Sequence, residues 1–299
     1  MPAREGEAGI ILVDKPGGIT SHGVVSRVRR ALGTRKVGHA GTLDPAATGL
    51  LVLGINRGTK LLHFLTGLDK SYRATIRLGA STVTDDAEGD LITDLGAQLA
   101  LTSRLEEAME SQRGRIMQVP SAVSAIKIDG QRAHKLVRSG AQVQIPARPV
   151  TVRRFELLQK PVQAGRYVDM DVEIECSSGT YVRSIARDLG QVLGVGGHVT
   201  ALRRTQVGPW SVREAHRLDS LPEPGSIIPA GEACKELYPE AQITQQECRG
   251  VSYGNKPEAR VGDAADGTVF CLVCPDGKVA GLGELKADRL RPVFVVDPV

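Results

Sequence analysis

Aromatic side chains are scarce in this chain of 299 residues, of which only 3% are Phe, Trp or Tyr. A core with so few rings must be mainly aliphatic, and modules that stack several RNA bases on sheet aromatics are disfavoured. Cysteine is also sparse, and five widely spaced residues do not form the pattern of a disulfide framework. We therefore expect a reducing, cytoplasmic environment.

Long hydrophobic runs are absent as well. The longest apolar stretch, Leu50–Ile55, contains a glycine and is far shorter than a membrane span. The run Ile10–Val13 is too short for the apolar region of a signal peptide. The sequence therefore predicts no membrane partner.

Motifs for metals and nucleotide cofactors are missing or incomplete. There is no phosphate-binding G-x-x-x-x-G-K-[ST], no G-x-S-x-G and no H-E-x-x-H. Cys271 and Cys274 form a single C-x-x-C within a strand-like run, where residues three apart face opposite sides. We expect buried structural thiols there rather than a zinc site.

Charge is unevenly distributed although the net charge is only +4. Residues 21–73 carry nine basic and two acidic residues, and residues 112–155 carry nine basic and one acidic residue. Such blocks are either phosphate-binding surfaces or solvated faces that bind nothing. Two of them in one chain favour a polyanionic partner.

Helical periodicity appears in three places. A helix is predicted over residues 21–32, with Ser21 as its N-cap, and another over residues 184–193. Ser103 and Glu106 form a capping-box pattern at the start of a third.

Alternating apolar and polar residues predict strands over residues 72–78 and 168–175. Short strand-like runs follow near the end of the chain, at residues 268–274, 278–282 and 293–296. Because helices and strands do not alternate regularly, the expected class is α+β. We expect a main domain over residues 1–238, with a long basic loop at about 118–150, and a small β domain over residues 239–299.

The densest unusual segment is Gly38–Gly49, which contains one Asp, one His and three Gly residues between apolar stretches. Asp44 is the only acid between Asp14 and Asp69, so basic residues surround it in sequence. Such a carboxylate stays ionised and can act as a nucleophile. A structural Asp-Pro turn, in which Asp44 has no catalytic role, explains the same residues and is more common in proteins.

The sequence resembles the TruB family of bacterial tRNA pseudouridine synthases, most closely its actinobacterial members. The segment Gly38–Gly49 is similar to the family's catalytic motif. Four further segments are similar to family motifs and occur in the family's order: Asp14–Ser21, Lys70–Arg73, Ser177–Arg183 and Gly197–Arg204. Together the five segments lie within residues 10–210.

The resemblance implies a pseudouridine synthase fold, with a central mixed, largely antiparallel sheet flanked by helices and loops. It also implies a small C-terminal RNA-binding domain of the PUA type. The implied enzyme flips uridine 55 out of the tRNA T loop and isomerises it to pseudouridine. The reaction is redox-neutral, so neither a cofactor nor a metal is expected. The implied partner is the T arm of tRNA, bound by a monomer.

The resemblance also implies roles for five residues. Asp44 would be the nucleophile, and Arg183 would pair with its carboxylate. Tyr72 would stack on the extruded base and take part in removing the C5 proton. His39 would fill the space that the base vacates, and Leu202 would line the base pocket.

Further residues would support the site or bind RNA by the same resemblance. Lys15 would support the site, Lys60 would contact phosphate, and Asp86 would supply an acid that many members carry slightly earlier, where this chain reads Ser81-Thr-Val-Thr. Three basic residues of the 118–150 loop would clamp the T arm: Lys127, Arg132 and Arg148.

Two other functions remain open on the sequence. A non-catalytic tRNA-binding or RNA-folding protein fits the same scaffold, although it does not need the residues Asp44, Tyr72 and Arg183. The other is an enzyme that acts on a small nucleoside through an aspartate, and it predicts binding that depends little on salt concentration.

Overall fold

The computed structural model describes residues 8–122, 127–128, 131–132, 145–221 and 225–297. Within these residues the chain forms two compact units. Unit 1 takes the described residues within Met1–Pro45, Gly49–Thr66 and Gly208–Val299, and unit 2 takes those within Ala46–Thr48 and Gly67–Val207. The domain boundary expected at residue 238 stays a prediction.

The N-terminal part of unit 1 is a group of antiparallel strands covered by a helix. It contains β1 (Gly9–Lys15), α1 (Ser21–Leu32), β2 (Val37–Ala40), β3 (Thr48–Ile55), a 3₁₀ turn (Asn56–Lys60) and α2 (Leu62–Thr66). β3 is antiparallel to both β1 and β2. The apolar stripe of α1 is buried against this sheet and includes Val24, Val28 and Leu32. Burial of that stripe fixes α1 to the sheet.

The helix α1 has the predicted bounds, but its N-cap is Thr20 rather than Ser21. The hydroxyl of Thr20 accepts a hydrogen bond from the amide of Gly23 at 2.9 Å. Ser21 is the first helical residue and is buried. The helix ends at Gly33, whose φ of 65° suits a residue without a side chain.

Unit 2 is built on an antiparallel sheet with the strand order β13–β4–β12–β10–β7. Its elements are β4 (Lys70–Leu78), β5 (Ala80–Thr82), β6 (Leu91–Asp94), a 3₁₀ turn (Leu99–Arg104), α3 (Leu105–Glu110), β7 (Gly114–Gln118), β8 (Lys127–Ile128), β9 (Gln131–Arg132), β10 (Arg148–Leu157), β11 (Val162–Ala164), β12 (Tyr167–Cys176), α4 (Val182–Leu193) and β13 (Gly197–Val207).

The predicted alternation of β4 and β12 is confirmed, since one face of each strand is buried and the other is polar. Helix α4 packs against β13 and β4 and buries Ile185 and Leu189. The capping box expected at Ser103 is wrong. A 3₁₀ turn occupies these residues, and the hydroxyl of Ser103 donates to the carbonyl of Ala100 at 3.0 Å.

The C-terminal part of unit 1 continues the first sheet and adds a second one. It contains β14 (Trp210–Ser211), a 3₁₀ turn (Val212–Glu214), β15 (His216–Arg217), β16 (Ile227–Pro229), α5 (Ala230–Leu237), β17 (Glu240–Gln242), α6 (Gln245–Val251), β18 (Val269–Val273), β19 (Val279–Lys286) and β20 (Arg289–Val295). β15 and β16 both pair with β1. The last four strands form a separate sheet. The small C-terminal β region and the α+β class are confirmed.

The thiols of the C-terminal sheet differ from expectation. Cys271 is a buried free thiol as predicted, whereas Cys274 is bonded to Cys248 in a disulfide. The two half-cystines are 26 residues apart in sequence and meet because α6 packs on the sheet. Their spacing matches no framework pattern, so the pairing depends on tertiary structure.

Glu247 on α6 generates a prediction about acid stability. Burial alone would raise the pKa of its carboxyl, but hydrogen bonds from Arg260 and from the amides of Thr244 and Glu258 outweigh it and lower the pKa to about 2. A depressed pKa contributes stability above the unfolded-state pKa, and this contribution is lost as pH falls toward 2.

We expect Glu247→Gln to lower the free energy of unfolding at pH 7 by about 1–2 kcal/mol, and this difference to shrink as the pH is lowered. Denaturant titrations at several pH values measure it. The control is Glu236→Gln, an exposed glutamate on α5. A destabilisation of equal size at pH 7 and pH 3 would contradict the assignment.

Candidate active site

The loop that carries Asp44 joins β2 to β3 and is held on both sides of the aspartate. On one side, the Ser21 hydroxyl accepts from the amide of Leu43 at 2.9 Å and donates to the carbonyl of Leu43 at 3.1 Å. On the other side, the carbonyl of Pro45 accepts from the amide of Gly18 at 2.9 Å. Asp44 itself is half-buried. Its backbone neighbours are therefore fixed while its side chain remains partly accessible.

Lys15 completes the anchorage of this loop. The side chain is fully buried at the end of β1, and its ammonium donates to the carbonyls of Pro45, Pro16 and Ile19 at 3.0, 3.0 and 2.7 Å. A buried ammonium is tolerated only when its three donors are satisfied. The sequence predicts a supporting role for Lys15, and these contacts give that role a geometry.

Two other predicted residues of unit 1 lie near this loop in sequence but differ in exposure. His39 is on β2 opposite Leu53 of β3 and is half-buried. Lys60 ends the 3₁₀ turn after β3 and is exposed. An exposed lysine is suited to a phosphate contact, whereas His39 is partly enclosed by its sheet.

In unit 2, Tyr72 and Leu202 lie on neighbouring strands. Tyr72 on β4 is buried and pairs in register with Ile174 of β12 and Arg204 of β13. Leu202 on β13 pairs with Ala74, the residue two positions after Tyr72, and is half-buried. Since residues two apart on a strand share a face, Tyr72 and Leu202 point to the same side of the sheet.

Arg183 lies in the first turn of α4 and is almost fully buried, with a side chain only 6% exposed. Its Nη1 donates to the carbonyl of Thr84 at 2.6 Å and to the hydroxyl of Ser121 at 3.3 Å. The same nitrogen lies 3.4 Å from Oδ2 of Asp86. The structure therefore brings Asp86 to Arg183, and burial strengthens the attraction between their charges.

The expected clamp residues lie partly within the described chain. Lys127 and Arg132 face each other on the two-residue strands β8 and β9, and their side chains lie outside the described residues. Arg148 begins β10, and its guanidinium lies 5.2 Å from the ring centroid of Tyr181. This contact is within the range of a cation–π interaction.

The described ranges contain neither a metal-binding cluster nor a membrane-spanning helix. No group of three or more His, Cys, Asp or Glu side chains there is arranged to hold a metal ion. Within the same ranges, no helix has the length and apolar character needed to cross a membrane.

Several contacts of the site were not predicted. The sequence predicts that Ser21 caps α1, whereas its bonds to Leu43 form only because α1 packs beside the loop. No sequence pattern indicates Gln118 or Arg187, although both contact the segments that hold Arg183. The one sequence signal was the pair Thr20-Ser21, where either hydroxyl suits the cap and the other is left for a different partner.

Comparison with known families decides the classification. The model described as "TruB family pseudouridylate synthase (N terminal domain)" matches residues 29–182. The model described as "tRNA pseudouridylate synthase B C-terminal domain" matches residues 183–224. The chain belongs to the TruB family of pseudouridylate synthases. The resemblance stated from the five motifs is therefore confirmed.

Full-length relatives of this TruB-family chain are mostly actinobacterial, as predicted. It is 51% identical over 292 residues to tRNA pseudouridine synthase B of Corynebacterium efficiens, with 97% of each chain covered. It is 47% identical over 301 residues to tRNA pseudouridine synthase B of Arthrobacter sp. (strain FB24), again with 97% of each covered. These alignments span both units.

Solved structures show the same fold as this TruB-family chain. A chain in an H/ACA ribonucleoprotein bound to a substrate RNA containing 2′-deoxyuridine is 23% identical, with a TM-score of 0.72. The alignment covers 97% of this chain and 85% of that chain. A chain of an archaeal box H/ACA complex is 24% identical with the same TM-score, over 98% of this chain and 87% of that one. The expected pseudouridine synthase fold is confirmed.

The two hydrogen bonds between the Ser21 hydroxyl and the backbone of Leu43 lead to a testable prediction. Ser21→Ala leaves the buried amide and carbonyl of Leu43 without these partners, at a cost of about 1–3 kcal/mol. Because the affected segment adjoins Asp44, we expect a slower turnover as well as a lower melting temperature.

The matched control is Ser26→Ala on the exposed face of α1, where the hydroxyl donates to the carbonyl of His22 at 3.0 Å. Thermal unfolding and single-turnover rates of both variants measure the effect. If Ser21→Ala and Ser26→Ala behave alike, the loop does not depend on this anchor.

Proposed function

We propose that this enzyme converts uridine 55 in the T loop of tRNA to pseudouridine, with Asp44 as the nucleophile. The observation that carries the proposal is the identity of about 50% over nearly the whole chain to proteins named tRNA pseudouridine synthase B. The anchored loop supports the choice of Asp44. Its backbone is held by Lys15 and Ser21, as the positioning of a nucleophile requires.

The reaction breaks the bond between ribose C1′ and base N1, turns the base and joins C1′ to C5. The proton on C5 is lost and N1 regains one, so the product is an isomer of the substrate. Attack of Asp44 on C1′, attack on C6 and a glycal route all require an ionised carboxylate beside the nucleoside. None of the three needs a redox step.

The other site residues receive roles within this proposal. Arg183 keeps the Asp44 carboxylate ionised and oriented, which a buried guanidinium does effectively. Tyr72 stacks on the flipped base and assists loss of the C5 proton, and Leu202 lines the same pocket. These roles of Tyr72 and Leu202 are supported by the common face of the unit 2 sheet on which both side chains lie. His39 fills the space that the base leaves in the RNA, and Asp86 orients Arg183 from 3.4 Å.

The tRNA T arm is the proposed partner, bound mainly through its phosphates. Lys60 is exposed, and Lys127 and Arg132 pair in register on the short antiparallel strands β8 and β9. Arg148 lies at the point where the chain returns from the same basic segment to the sheet. Phosphate contacts supply affinity and register, and the flipped base supplies specificity. We further propose that the enzyme is a cytoplasmic monomer whose C-terminal sheet is a PUA-type RNA-binding domain.

Replacement of the nucleophile tests the proposal directly. We expect Asp44→Asn and Asp44→Ala to abolish pseudouridine formation while tRNA binding persists, because the carboxylate acts in the chemistry and not in phosphate binding. Mapping pseudouridine in tRNA treated with each protein measures the loss.

The control is Asp69→Asn, which removes a half-exposed carboxylate paired with Arg153. Product at wild-type levels with Asp44→Asn would refute the assignment. If the wild-type chain binds T-arm RNA but yields no pseudouridine, the protein is an RNA-binding or RNA-folding protein instead.

Salt dependence separates RNA binding from action on a free nucleoside. Each phosphate contact with a duplex adds a slope of about −0.9 to log affinity against log salt. We therefore expect a steep slope for the wild type and a slope reduced by about one unit for Lys60→Ala. The control is Lys160→Ala, an exposed lysine without a proposed RNA contact. A flat plot for the wild type would favour a small-nucleoside enzyme.

A further inference from the structure

The two ends of the basic segment that joins β7 to β10 meet at the start of α4. Gln118 ends β7 and pairs in register with Arg148, which begins β10. The buried Gln118 amide makes two bonds to the backbone of Tyr181, the residue before α4, at 2.8 and 3.1 Å. We call Gln118–Ser121 the root of the basic segment. Its first residue is thereby fixed to the helix that carries Arg183.

Ser121 connects this root directly to Arg183. Its hydroxyl is fully buried, donates to the carbonyl of Thr84 at 3.1 Å and accepts from Nη1 of Arg183 at 3.3 Å. The same Nη1 donates to the carbonyl of Thr84 at 2.6 Å. The root, the turn at residues 82–86 and Arg183 therefore share one hydrogen-bonded junction.

Arg187 lies one turn further along α4 and joins the same two segments a second time. Its Nη1 lies 3.2 Å from Oδ2 of Asp85, and its Nη2 donates to the carbonyl of Val119 at 2.7 Å. Its Nε donates to Asp188 on the helix at 2.8 Å. One planar guanidinium thus links the turn, the root and α4, a geometry that a lysine ammonium does not reproduce.

The backbone and burial of Asp85 indicate that its contact with Arg187 stabilises the turn. It is buried and has a φ of 58°, an unusual backbone conformation for a residue with a side chain. Burial raises the pKa of its carboxyl, and the charge of Arg187 opposes that rise. Such a residue persists only where its surroundings hold it, and Arg187 contacts its carboxylate at 3.2 Å.

We propose that Arg187 is a positioning residue that couples the root of the RNA-binding segment to the orientation of Arg183. Arg187 holds Asp85 and Val119. Arg183 donates to Thr84, which precedes Asp85, and to Ser121, two residues after Val119. A shift of the root is therefore transmitted to the guanidinium of Arg183. This inference rests on the proposed roles of Arg183 and of the basic segment.

The decisive variant is Arg187→Lys, which keeps a cation for Asp85 but loses the second arm that reaches Val119. We expect its single-turnover rate at saturating T-arm RNA to fall by about tenfold or more, since small misplacements of active-site groups cost up to ~10²-fold. The Kd for the RNA should stay within about threefold, because no phosphate contact is removed.

The matched control is Arg166→Lys. Arg166 in the same unit also donates two hydrogen bonds through its two terminal nitrogens. One goes to a carboxylate oxygen of Asp94 at 3.2 Å and the other to the carbonyl of Asp94 at 3.0 Å. Losing this pair of hydrogen bonds should leave the single-turnover rate of pseudouridine formation unchanged. If Arg187→Lys does not fold, Asp85→Asn tests the same link with little change in volume, and the same fall in rate is expected.

A double-mutant cycle separates positioning from general destabilisation. If Arg187 acts through Arg183, the substitution Arg187→Lys should slow an Arg183→Lys enzyme little further, whereas independent effects would multiply. Wild-type rates in Arg187→Lys or in Asp85→Asn, or multiplicative effects in the cycle, would overturn the inference. A lack of pseudouridine with both the wild type and Arg166→Lys would instead refute the proposed function.

Discussion

The buried ammonium of Lys15 is the interaction on which the candidate site of unit 1 depends. It collects three backbone carbonyls, from Pro16, Ile19 and Pro45, which belong to the N-terminal motif and to the loop that carries Asp44. A charge taken out of water must be compensated fully, and here the compensation determines the path of two chain segments. Ser21 adds a second anchor from α1. The loop is glycine-rich, yet its backbone beside Asp44 is fixed.

The same principle organises unit 2, where guanidinium groups take the place of the ammonium. Arg183 and Arg187 both donate to backbone carbonyls of segments that are far from α4 in sequence. Arg113 likewise donates twice to the carbonyl of Phe155. A guanidinium has five donors in a rigid plane, so one side chain can join several loops. These contacts give particular arginines a structural role in the fold.

This use of arginine refines the interpretation of the two basic blocks. The block over residues 112–155 includes Arg113, which is engaged with Phe155 and with two glutamates, and Arg154, which is paired with Glu156 and Glu173. In the block over residues 21–73, Arg29 donates to the carbonyl of Val37. Charge counted along the sequence therefore overstates the surface available to phosphate. The structure separates cations that hold the fold from exposed ones such as Lys60.

The sequence by itself determined the helices and strands whose apolar residues recur at regular spacing. It also determined the assignment to the TruB family. The stripe of α1, the alternation of β4 and β12 and the C-terminal strands follow from side-chain spacing, which is a local property. Tertiary structure alone decided which hydroxyl caps α1, that Cys248 meets Cys274, and that Gln118 and Arg187 join the root of the basic segment to α4. Apart from the local bond from Gly23 to Thr20, these contacts pair groups whose separation in sequence carries no pattern, and only packing brings them within reach. Thr20 and Ser21 illustrate the difference, since their chemistry is the same and only their neighbours assign one to the helix and the other to the loop of Asp44.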